Sequence, residues 1–179
     1  MLLRKSGIWG TLAVAGLLVS GSAGAEIAAS AHDFTQGGAQ ITTTTMCSAC
    51  HTPHASIGNS DAPLWDRTAS AVTTWTPYSG YDMQATPGEP TGVSLLCMSC
   101  HDGSVAIDNF GGTNGGTNIV AGLRGTDLTN DHPIAFTYNT ALANADGGLF
   151  DPATVTSASD LLFGGQVQCA SCHDVHNGL

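Results

Sequence analysis

The hydrophobic positions of this chain follow no sustained helical or strand period. Ile8 to Val19 is the one long apolar run, and it is broken by Gly10 and Gly16. Basic Arg4 and Lys5 precede it, and Ser22-Ala23-Gly24-Ala25 follows with an A-x-A pattern. This three-part arrangement predicts a secretory signal peptide over residues 1–25, cut before Glu26, and the run is short for a membrane span. Beyond it, β-branched Thr42 to Thr45 favour extended chain. Residues 55–92 scatter Trp65, Trp75, Tyr78 and Tyr81 among Pro, Gly and Ser, which predicts a long irregular loop with at most a short strand or hairpin. GGTNGGTN at 111–118 is turn material. Residues 139–164 predict one short helix, started at Asp151-Pro152. The expected fold class is therefore mostly irregular coil with a few short helices, in a single domain over residues 26–179.

Composition sharpens this picture. The chain has 179 residues with 23 Gly, and aromatics make up only 6%, so large core-forming side chains are scarce. Some other apolar mass must fill the interior. Loss of the leader removes Arg4 and Lys5, leaving Arg67, Arg124 and no Lys against 14 acidic residues, a net charge of −12. Such a surface repels nucleic acid and anionic lipid and favours basic partners or multivalent cations. No other segment is long and apolar enough to cross a membrane, so the mature protein is expected to be secreted, periplasmic or extracellular.

Six cysteines complete the picture. They form three C-x-x-C pairs, each followed at once by His: Cys47, Cys50 and His51; Cys97, Cys100 and His101; Cys169, Cys172 and His173. C-x-x-C-H is the attachment pattern of c-type haem. Two thiols add to the two vinyl groups of one porphyrin edge, and the next residue comes round beneath the iron as an axial imidazole ligand. Disulfides would not require a His after every pair. Zinc would use the pairs two at a time and leave one over. A thioredoxin-like site needs one pair in a βαβ setting. The expectation is three covalent haems (heme c) that supply the missing interior mass.

The opposite axial ligands come from what is left. His32, His54, His132 and His176 lie outside the motifs, and of the four Met only Met83 is placed to reach an iron. Ligation by two His is therefore expected at all three irons, which gives lower potentials than Met/His ligation. His54 and His176 each follow a motif His by three residues, a spacing that lets one helical turn serve two neighbouring haems. The working assignment gives His32 to the Cys47/Cys50 haem, His54 to the Cys97/Cys100 haem and His132 to the Cys169/Cys172 haem. His176 is then spare or available to another subunit. Asp residues beside His32 and His132 are candidates for orienting those rings, and Asp102 and Asp174 for tuning the adjacent haems. Four distal candidates for three irons leave no open coordination position, so electron transfer without substrate chemistry is expected, not catalysis. The alternative is a multihaem oxidoreductase or terminal metal reductase.

The strings CSACHTPH, PLWDR, CMSCHDGSVA, DHPIAF and CASCHDVHN, covering His32 to Asn177, resemble bacterial secreted multihaem c-type cytochromes of the doubled C-x-x-C-H type. The resemblance implies a multihaem cytochrome c fold organised around three closely packed haems. It implies redox partner proteins or an extracellular electron acceptor. Members of this pattern often continue to a further C-x-x-C-H, whereas this chain stops at Leu179. The sequence is also similar to extracellular cytochromes that polymerise into conductive filaments. That likeness implies a homopolymer with inter-subunit haem contacts, with His176 or His32 ligating a haem of the next subunit.

Overall fold

Among the described residues helix is confined to short stretches, because Gly, Pro and Thr interrupt the apolar segments. The computed structural model describes residues 27–36, 43–54, 56–58, 62–80, 82–112, 115–117 and 125–176. The expected signal peptide lies outside the described residues. The chain is mostly irregular, as expected, with three short α-helices and one two-stranded sheet among the described residues.

Helix α1, Val93–His101, is the longest, and it carries the second cysteine motif whole. Gly92 precedes it at φ 49° and Gly103 closes it at φ 78°. Both are left-handed conformations that glycine adopts without a Cβ penalty. The Gly103 amide donates to Cys100 O at 3.1 Å, ending the helix just beyond His101. Strand β1, Phe136–Thr137, pairs antiparallel with β2, Gln166–Val167, with Phe136 opposite Val167. Between the strands lie α2, Thr140–Asp146, and α3, Ala158–Leu161.

The region 139–164 thus holds two short helices where one was expected. Asn139 caps α2 by accepting from the Leu142 amide at 2.9 Å, and Gly147 ends it. Asp151-Pro152 does start an element, but it is a single 3-10 turn over Pro152–Thr154. Residues 62–80 contain no strand and form only isolated bridges, His51 to Trp65, Arg67 to Phe110 and Thr76 to Asp127.

The apolar core is small. Trp75, Met98, Leu128, Ile134 and Ala135 pack together, with Val72 and Cys169 against them. One face of α1 therefore meets the end of β2, where the third motif begins. A buried polar network reinforces this contact. Gln168 accepts from the Ser94 hydroxyl and donates to Thr91 Oγ1 at 2.7 Å and Gln166 Oε1 at 3.0 Å. Ser94 Oγ in turn accepts from the Cys169 amide at 2.9 Å.

Candidate functional site

Each motif bends into a helical turn, by three different local routes. In the first motif the His51 amide donates to Cys47 O at 2.8 Å. In the third, a 3-10 turn over Cys169–Ser171 precedes a His173 amide bond to Cys169 O at 3.0 Å. In the second, α1 imposes the same turn. A bond of this span puts the His on the face of the first Cys of its own motif. All six cysteines are unbridged thiols.

The motifs also approach one another. Cys97 Sγ donates to Val93 O at 3.6 Å, and the neighbouring Cys169 thiol raises the Cys97 pKa while Cys97 lowers that of Cys169. Burial pushes the Cys50 thiol up to about 11 and raises Cys100 as well, while the Arg67 charge opposes both rises.

Six of the seven histidines stand in pairs, and each pair joins one motif His to one His outside the motifs. The ring centroids of His132 and His173 are 6.0 Å apart, those of His32 and His101 are 6.2 Å apart, and those of His51 and His176 are 6.2 Å apart. This spacing has a simple chemical meaning. Two imidazoles bonded to opposite sides of one metal ion, at about 2.0 Å per bond and with each centroid about 1.1 Å behind its nitrogen, stand about 6.2 Å apart. Two protein ligands alone do not make a zinc site, which takes three or four. Among the described residues no cluster of three or more His, Cys, Asp or Glu gathers at a metal-sized point.

The ring nitrogens of one pair can be assigned. His51 Nδ1 lies 2.7 Å from Pro63 O, and a carbonyl only accepts, so Nδ1 carries the proton and Nε2 keeps its lone pair. Across the gap, His176 Nδ1 lies 3.5 Å from Asp174 Oδ1, which also accepts from the His176 amide at 2.8 Å. The His51 ring is thus held by Nδ1, leaving its Nε2 to serve as ligand. Burial and the neighbouring His101 lower the pKa of His32, favouring the neutral ring that offers a lone pair. Trp65 stands edge-on to His51 at 5.8 Å between centroids.

The pairing differs from the sequence expectation in two places. His132 faces His173, as assigned. His32, however, faces His101 of α1 and not His51. His176 stands beside His51. The unpaired ring is His54, which is exposed. The cause is local. After His51 the Thr52 amide donates to Leu64 O at 2.8 Å, so the chain leaves its helical turn and the three-residue relation between the rings is lost. The aspartate beside His32 also has other work. Asp33 accepts from the Ala29 and Thr35 amides at 3.0 Å each and from the Thr35 hydroxyl, shaping the turn and not the ring.

One residue that the motif reading left aside proves central. Arg67, in the PLWDR string, is buried and donates to Ala49 O inside the first motif and to Ala106 O and Ile107 O beyond the second. The scarcity of cations in the sequence was the signal that could have singled it out. No helix among the described residues is long and apolar enough to cross a membrane. No family model matches the chain and no curated protein is similar to it, so the cysteines and histidines carry the functional reading themselves.

Proposed function

We propose that this chain is a three-haem c-type cytochrome that carries electrons outside the cytoplasm. The observation that carries the reading is the repeated 6.0 to 6.2 Å gap between a motif His and a second His. Cys47 and Cys50 would tether one haem between His51 and His176. Cys97 and Cys100 would tether a second between His101 and His32. Cys169 and Cys172 would tether the third between His173 and His132. When bound, a c-type haem supplies a one-electron iron couple.

The chain's own residues then set the conditions of transfer. A pair of imidazoles would hold each haem iron and leave no position for a substrate, which supports a carrier over an oxidoreductase or terminal metal reductase. Ligation by two imidazoles keeps potentials below those of Met/His centres. Pro63 O holds the proton on Nδ1 of His51, fixing its tautomer and ring orientation, and the Asp174 carboxylate stands near His176 Nδ1. The leader pattern at residues 1–25 supports export, to a compartment where thiols need a use such as haem attachment to escape disulfide formation.

Intact-mass analysis and a spectrum of protein matured by a host with haem-attachment machinery test the proposal together. The expected result is the mass of the chain from Glu26 plus three haems, with low-spin bands unchanged by carbon monoxide. A bare-chain mass without Soret absorbance overturns it. Three haems with a carbon monoxide-binding fraction would favour the oxidoreductase.

A further inference from the structure

Beyond the leader the chain has two arginines and no lysine, and one of those arginines is buried. Arg67 is 1% exposed. Its guanidinium donates to Ala49 O at 3.0 Å, Ile107 O at 2.8 Å and Ala106 O at 2.7 Å. Its Nε is buried without a hydrogen-bond partner, and no carboxylate pairs with the group among the described residues. A buried guanidinium faced by carbonyl dipoles alone is an expensive feature, since it gives up water without gaining an anion. Its position is well defined. Ala49 lies between Cys47 and Cys50, and Ala106 and Ile107 follow the turn after His101.

We infer that Arg67 is a fixed internal positive charge that raises the reduction potentials of the haems tethered at Cys47/Cys50 and Cys97/Cys100 and leaves that of the haem at Cys169/Cys172 unmoved. This rests on the haem attachment proposed above. Reduction adds one negative charge to a haem, and a cation held away from solvent stabilises that added charge with little screening. The acidic surface works in the opposite direction on all three haems, but through water. The guanidinium suits the role because its planar fork reaches three carbonyls at once. Arg67 is a positioning residue, acting on the redox centres through its field.

Redox titration of wild-type, R67Q and R67K holoproteins, each first shown by mass to hold three haems, tests this. In R67Q two of the three midpoint potentials should fall. Each fall should correspond to roughly a tenfold change in the reduction equilibrium, about 59 mV for a one-electron couple, with the third unmoved. R67K keeps the charge but reaches fewer carbonyls, so its potentials should stay near wild type while its melting temperature drops. Three unmoved potentials in R67Q, or three that shift together, overturn the inference. If R67Q does not mature, R67K decides, because a fall of two potentials with the charge retained overturns it equally. A wild-type protein without haem overturns the attachment reading itself, a result distinct from loaded variants with unmoved potentials.

Discussion

At the scale of single residues, His54 and His176 offer a natural comparison. Each follows a motif His by three positions, yet only His176 meets another motif ring. An Asx-type turn, in which Asp174 accepts from the His176 amide, swings His176 toward His51. Pro53 and the Thr52 bond to Leu64 direct His54 to the surface. Replacing His176 by Ala should therefore open one of the three haems. One centre turns high-spin and binds carbon monoxide, while the other two keep their low-spin bands. H54A should leave the spectrum unchanged, and optical titration with carbon monoxide checks both. The set of distal candidates was legible in the sequence because a His outside a motif is visible one residue at a time. Which His serves which motif was not legible. That depends on how far-separated segments meet, and local spacing treats His54 and His176 alike.

At the scale of elements, the link between α1 and the start of the third motif depends on a polar clamp at Ser94 and Gln168. Both side chains are buried, at 0% and 2% exposure, so removing one partner strands the other without water to replace it. Q168A should destabilise the protein by about 1–3 kcal/mol, read from chemical denaturation of the haem-loaded form. The scarcity of regular structure was readable from Gly, Pro and Thr content. The division of 139–164 into α2 and α3 was less so. It depends on whether Asn139 and Gly147 act as caps, a choice that neighbouring packing settles. The strand pair Phe136–Thr137 with Gln166–Val167 escaped prediction for a related reason. Two residues are too few to show a period of two, and their pairing is a contact across the whole α2–α3 region.

At the scale of the whole molecule, charge and topology matter most. Residues 26–179 carry two arginines and no lysine against 14 acidic residues, so encounter with a basic redox partner should be steered electrostatically. Its association rate should fall steeply as ionic strength rises from about 0.01 M to 0.15 M, over which the Debye length shrinks from about 30 Å to about 8 Å. Stopped-flow reduction by a cationic partner protein checks this, and a flat salt profile would assign the charge to solubility alone. The pairing of His51 with His176 has a consequence for biogenesis. In the proposed exported cytochrome, threading from the N-terminal side would deliver His51 125 positions ahead of His176. The first site would wait, capped on one side, across that interval, whereas at the second site His32 already precedes His101. Stalled translocation would thus leave a half-ligated first centre, giving quality control a ready mark of an unfinished product.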